Sequence, residues 1–214
     1  MGLFDRFVQH LDWQRPDPRT RLEDLPLLAV DMETTSLDPR EGAIVSIGWV
    51  PINGGVIDLG GADYVLIKGA TAGQIEQSVH IHMLTQDVVD AGVAEKEGIS
   101  RLREALQGRV LLAHFAALEV GFLEAACKRI YGAAPRLDVV DTFALERRHM
   151  ERMATYPRGE DLRLARVRQR YGLPNYGNHN ALSDAQACAE LFLAMRHDLA
   201  GMTLKQVVAA SERR

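Results

Sequence analysis

Asp31 and Glu33 stand one residue apart where an apolar run, Leu25 to Val30, reaches its end. Such a run reads as a buried strand. Alternate side chains of a strand share a face, so both carboxylates point one way and Met32 the other. Like charges held that closely in water-poor surroundings cost on the order of several kcal/mol per ion unless a cation or hydrogen-bond donors compensate. Two further carboxylates are out of place. Glu119 begins a helical stripe continued by Phe122, Leu123, Ala126 and Ile130, whereas Glu124 and Lys128 take the opposite, solvated side. Asp184 heads a second stripe of Ala187, Cys188, Leu191, Phe192 and Met195. The helix dipole favours an acid in a first turn by only about 0.3–1 kcal/mol, which accounts for one such residue better than for two. Four carboxylates are hard-oxygen ligands, suited to Mg2+ or Mn2+ and not to structural zinc. Two such ions about 3.5–4 Å apart suit displacement at phosphorus. His179, in the loop leading to the Asp184 helix, is the candidate base, because an imidazole titrates near neutrality.

The elements that must position these residues follow from the pattern. A first strand near Leu25 to Met32 is followed by a hairpin, Ile44 to Val50 and Val56 to Leu59 around the turn Asn53-Gly54-Gly55. Arg109 to His114 and Leu137 to Val140 read as further strands. Helices are predicted near Thr85 to Ala91, Ile99 to Gln107, Ala117 to Tyr131, Thr142 to Met153, Asp161 to Tyr171 and Ala181 to Asp198. The order implies a mixed five-stranded sheet flanked by helices, an α/β layered domain over residues 25–198. Residues 1–24 read as an amphipathic segment (Phe4, Phe7, Val8, Leu11) and a linker, and 199–214 as a C-terminal helical tail.

Composition narrows the rest. The 214 residues suffice for one domain, and 47% hydrophobic with 25% charged residues describes a folded chain. The N-terminus has no continuous apolar leader and no apolar run spans a bilayer, so a cytoplasmic protein with no membrane contact is expected. Cys127 and Cys188 read as reduced, buried apolar residues. A net charge of −4 requires any nucleic-acid partner to be held locally or through metal. Arg163, Arg166 and Arg170, with Arg158 and Arg168 nearby, read either as a phosphate-tracking surface or as a solvated face paired with Glu160 and Asp161.

The stretch from Asp31 to Asp38 resembles the first motif of the DEDDh exonucleases, the DnaQ-like 3′–5′ exonucleases and proofreading subunits. His179 to Ala185 is similar to the family's third motif, a histidine five residues before an aspartate. Leu111 to Glu119 sits where the second motif belongs, and Ile81 to Thr85 and Asp141-Thr142 also match. Phe115 departs from the family's usual asparagine, Leu118-Glu119 from its phenylalanine-aspartate pair, and Ser36 and Met83 from glycines. The resemblance implies a ribonuclease H-like fold in which Asp31, Glu33, Glu119 and Asp184 hold two Mg2+ or Mn2+ ions. His179 would take a proton from water, and Thr34, Leu37, His82 and Leu118 would contact the 3′-terminal nucleotide. It implies hydrolysis at single-stranded 3′ ends, DNA favoured over RNA, releasing nucleoside monophosphates. A polymerase or another nucleic-acid-processing protein is the implied partner, with the oligomeric state open. Glu119 leaves the alternative of a catalytically weakened 3′-end-binding module. A phosphatase with an aspartyl nucleophile fits poorly, because it needs an aspartate at the Glu33 position and a downstream lysine.

Overall fold

In a computed structural model the described residues are 13–70, 85–177 and 179–212. Seven strands form one mixed sheet, in the order β5-β4-β2-β1-β6-β7 with β3 paired to β2. They are β1 (Leu27–Thr34), β2 (Ile44–Asn53), β3 (Val56–Ile57), β4 (Asp63–Lys68), β5 (Val93–Ala94), β6 (Val110–Ala113) and β7 (Val139–Asp141). The five strands expected from sequence are therefore joined by two more. β4 is the apolar run Tyr64 to Ile67, which pairs antiparallel with β2. β5 is two residues long, so only its parallel pairing with β4 defines it. β2 lies antiparallel to β1, β3 and β4, whereas β1, β6 and β7 run parallel.

The helices are α1 (Gln86–Asp90), α2 (Glu95–Leu106), α3 (Ala117–Tyr131), α4 (Thr142–Arg152), α5 (Leu164–Arg170), α6 (Ala181–Met195) and α7 (Leu204–Glu212). Two expected helices are shorter than their patterns. The stretch from Asp161 to Tyr171 divides into a 3-10 turn, Gly159–Leu162, and α5, and α6 passes into a 3-10 turn at Arg196–Leu199. α3 ends where Gly132 takes the left-handed conformation, φ 80°, that glycine adopts without steric cost.

The alternation of β1 divides the core into two layers. Leu28, Val30 and Met32 pack with Ile99 and Leu102 of α2 and with Phe122, Leu123 and Ala126 of α3. Leu27 and Ala29 pack with Cys188, Leu191 and Phe192 of α6 and with Leu204 and Val207 of α7. Cys127 and Cys188 are both free and buried. Trp13 joins the first layer and Leu22 the second, and a bridge between Arg21 and Thr203 ties the stretch before β1 to the start of α7. The helical reading of Phe4 to Leu11 lies outside the described residues. Among the described residues, no helix is long and apolar enough to cross a membrane.

Candidate active site

β1 pairs with β6 only from Leu27 to Ala29 and then runs on alone on that side to Thr34. Asp31 and Glu33 lie in this overhang and continue the Leu27, Ala29 series, so they face the α6 layer. Asp31 is paired with Gly48 on β2, and Glu33 with Ser46. Gly48 decides what can reach them: a Cβ there would overlap the Leu182 amide nitrogen and the Ala181 carbonyl. The missing side chain lets the N-terminus of α6 lie directly on the sheet beside Asp31. Asn180 caps α6 by accepting from the Ser183 amide at 3.1 Å, and Asp184 follows in the first turn.

The result is a cluster in which one carboxylate oxygen each of Asp31, Glu33 and Asp184 lie within 4.8 Å of one another. Glu119, in the first turn of α3, approaches from the opposite layer and lies outside that trio. Burial, followed by the charges of Glu119, Asp184 and Glu33, holds the Asp31 carboxyl well above its usual range. Burial and Asp184 push Glu33 to about 7. Burial raises Glu119 to about 8, opposed by its own backbone N–H and assisted by Asp141 and Glu33. Burial also raises Asp184, against the His179 amide that donates to it at 2.9 Å. Only 2% of Glu119 is exposed, and its Oε2 has no hydrogen-bond partner among the described residues. A buried carboxylate oxygen without a donor, electrostatically coupled to neighbouring carboxylates of raised proton affinity, fits hard divalent cations.

The other expected site residues are placed as follows. His179 is exposed at φ 71°; its backbone N–H donates to Asp184, and its ring also interacts electrostatically with that carboxylate. Thr34 donates its hydroxyl proton to the Ser36 carbonyl at 2.8 Å, which fixes the loop leaving β1. Leu37 on that loop is 81% exposed. Leu118 is half-buried beside Glu119. His82 lies outside the described residues.

Two anchors hold the site from either side: His114, to which sequence assigns no separate role, and Arg168, which sequence places with a surface run of arginines and the fold buries. His114, at the end of β6, places Nδ1 2.9 Å from the Thr142 hydroxyl and Nε2 2.7 Å from the Leu162 carbonyl. A carbonyl only accepts, so the neutral ring carries its proton on Nε2. Burial lowers this histidine to about 4, in spite of the Leu162 bond. Arg168 is the second anchor. It is 2% exposed and donates to the carbonyls of Ala187 (2.6 Å) and Pro174 (2.8 Å) and to Glu190 (2.8 Å), with Tyr176 stacked on its guanidinium. It therefore fastens the start of the loop that carries His179. Arg170 is bound to Glu146, and Arg158 and Arg166 to Asp161, so the arginine run pairs largely within the protein, although Arg158, Arg163, Arg166 and Arg170 all lie exposed at the surface.

Asp141 is the further group that sequence alone left without a role. Its Oδ1 accepts from the amides of Phe115 and Phe143, both at 2.9 Å, joining the turn before α3 to the start of α4. An aspartate followed by threonine at a strand-to-helix junction is an N-cap signal that could have found it.

A family model described as Exonuclease matches residues 28–192. The DNA polymerase III subunit epsilon of Treponema pallidum is 28% identical over 173 residues, covering 81% of this chain and 77% of that protein. A PolC-type DNA polymerase III of Thermotoga maritima is 28% identical over 171 residues, 79% of this chain, but the match spans only 12% of the polymerase. Among solved structures, Exonuclease X in complex with 5′ overhanging duplex DNA aligns with a TM-score of 0.66 at 20% identity, covering 86% of this chain and 99% of that one. E. coli Exonuclease I in complex with a dT13 oligonucleotide aligns with a TM-score of 0.66 at 14% identity, covering 81% and 41%.

Proposed function

The chain belongs to the exonuclease family whose model spans residues 28–192, and we propose that it removes nucleotides from the 3′ end of single-stranded nucleic acid, DNA in preference to RNA, as nucleoside monophosphates. The observation that carries this reading is the convergence of Asp31, Glu33 and Asp184 within 4.8 Å, with the unpartnered Glu119 oxygen buried beside them. These four residues would hold two Mg2+ or Mn2+ ions. When bound, the ions supply positive charge against the phosphoryl oxygens and make water a competent nucleophile near neutral pH. The protein's own contribution begins with β1 and α6, which fix the carboxylates before substrate arrives. His179, its backbone pinned to Asp184, accepts the proton from water as the water oxygen bonds to phosphorus and the bond to the 3′ oxygen breaks. Thr34, Leu37, His82 and Leu118 would receive the terminal nucleotide. The names of its relatives support work in proofreading or repair, beside a polymerase or another nucleic-acid-processing protein.

The test uses end-labelled single-stranded DNA and RNA oligomers with Mg2+ or Mn2+, an EDTA control and Asp31→Ala. Stepwise shortening from the 3′ end, faster on DNA and abolished in both controls, is expected. Activity that survives Asp31→Ala would overturn the site. Retention of 3′ ends without product in either metal would instead favour a binding module.

A further inference from the structure

Phe115 occupies a position that its side chain does not suit. Its φ of 71° lies in the left-handed region, which glycine, asparagine and aspartate enter far more readily than an aromatic residue. The ring gains little burial in return, since 52% of the residue is exposed. A strained aromatic that is left open to solvent is not explained by packing, and strain of this kind gathers where function maintains it.

The surroundings fix the Phe115 backbone in the turn that leads into Glu119, and its ring against Phe143. The Phe115 amide donates to Asp141 Oδ1, and the Phe115 carbonyl accepts from the amide of Leu118, the residue before Glu119. The same Asp141 oxygen holds the amide of Phe143, so one buried carboxylate spaces the two aromatic residues. Their rings meet edge to face, with centroids 5.2 Å apart and planes at 69°. The Arg147 guanidinium lies over the Phe143 ring, 5.2 Å from its centroid, and Arg147 is paired with no carboxylate among the described residues. A rigid aromatic surface with a cation beside it that no carboxylate neutralises is the combination that receives a base and its phosphate in single-strand binding.

We infer that Phe115, braced by Phe143 and Arg147, is a stacking platform for a nucleobase of the bound strand upstream of the terminal nucleotide. This rests on the reading of the site as a single-strand exonuclease. It adds a contact outside the residues assigned to the terminal nucleotide, and it makes grip on the strand depend on a base at one position.

The test measures binding of a fluorescein-labelled single-stranded oligothymidylate to the full chain by anisotropy, with Ca2+ replacing the catalytic metal, together with KM and kcat in Mg2+. Phe115→Ala should weaken binding about tenfold and raise KM with little change in kcat, and Phe115→Trp should bind as well as the native chain. An abasic site moved one nucleotide at a time from the 3′ end should, at one position, weaken the native chain by the same factor and Phe115→Ala no further. Phe115→Asn, which suits the backbone, controls for folding: it should melt at or above the native temperature and still bind about tenfold more weakly. Native-like binding by Phe115→Ala or Phe115→Asn, or an abasic penalty that persists in full in Phe115→Ala, would overturn the platform. Failure of the native chain to bind or shorten the oligomer would instead remove the exonuclease reading on which it rests.

Discussion

Helices α6 and α3 each deliver a carboxylate from their first turn to the overhanging end of β1, and they do so on different terms. Asp184 arrives over Gly48, with a backbone amide already donated to it by His179. Glu119 arrives buried, with one oxygen unpartnered among the described residues and a carboxyl raised to about 8. The first is satisfied by the protein; the second is left for something the protein binds. A buried carboxylate is costly unless something compensates it, so Glu119 is the carboxylate with least compensation from the protein, set beside the trio of Asp31, Glu33 and Asp184.

The largest effect should come from disturbing the satisfied side. Gly48→Ala forces α6 away from β1, because backbone atoms of Ala181 and Leu182 occupy the space its methyl needs. A loss of about 3 kcal/mol in unfolding free energy and more than about a hundredfold in nuclease rate is expected, the rate loss following from displacement of Asp184 and His179 together. Near-native kinetics in this variant would mean that α6 is not held by that contact. Glu119→Gln tests the other side. It preserves shape and removes the charge, so affinity for Mn2+ by calorimetry should fall at least about tenfold. In metal-free protein the sign reverses. A carboxyl raised from 4.5 to about 8 leaves folding unpenalised below pH 4.5, and that stability is lost as pH rises through 8. Metal-free native protein should therefore melt lower at pH 8 than at pH 6, Mn2+ should restore more at pH 8, and Glu119→Gln should flatten the alkaline fall. An unchanged alkaline slope in that variant would assign the slope to Glu33, raised to about 7, or to Asp31.

The contrast between the two helices bears on what a sequence can disclose. Both acids were legible as carboxylates on apolar stripes, because helical period alone fixes which side chains face inward. The parallel orientation of Asp31 and Glu33 was legible for the same reason, from the two-residue period of a strand. The missing partner of Glu119 was not, since it depends on what stands opposite in three dimensions. Gly48 was equally silent: a glycine within an apolar strand signals close approach, but which helix approaches is a matter of topology. Arg168 shows the converse. Its helical spacing with other arginines resembles a surface stripe, and only the fold turns it inward onto Ala187 and Pro174. β4 is not among the expected strands although Tyr64 to Ile67 is an apolar run of strand length, and β5 is too short to have a pattern.

Each side also has a buried anchor, and these give smaller effects with opposite signatures. His114 serves the α3 side. Burial lowers it from 6.5 to about 4, so the neutral ring is the folded form, and the stability this provides is present above pH 6.5 and lost as pH falls toward 4. By pH 5 the loss should reach roughly 2 kcal/mol in urea denaturation. Metal should not rescue it, because the ring bonds Thr142 and Leu162 and none of the four carboxylates. A His114→Gln variant should be less stable at pH 7 and lack the acid slope; a slope that persists would belong to other groups.

Arg168 serves the α6 side, and Tyr176 is the way to loosen it without emptying the core. Tyr176→Phe keeps the ring on the guanidinium and removes the 2.9 Å hydrogen bond from the hydroxyl to Glu190. One hydrogen bond at a partly exposed position is worth about 1 kcal/mol. If the loop from Pro174 to Asn180 opens separately from the rest of the fold, that loss falls on the loop and not on global unfolding. The melting temperature should then change little while kcat falls about threefold at unchanged KM, because fewer molecules hold His179 beside Asp184 at any moment. Metal affinity should stay near the native value, since none of the four carboxylates depends on the hydroxyl. A kcat equal to that of the native chain would show that Asn180 and the Asp184 carboxylate fix the histidine without help from the Arg168 cluster, and the α6 side would then be even more self-sufficient than the comparison with α3 implies.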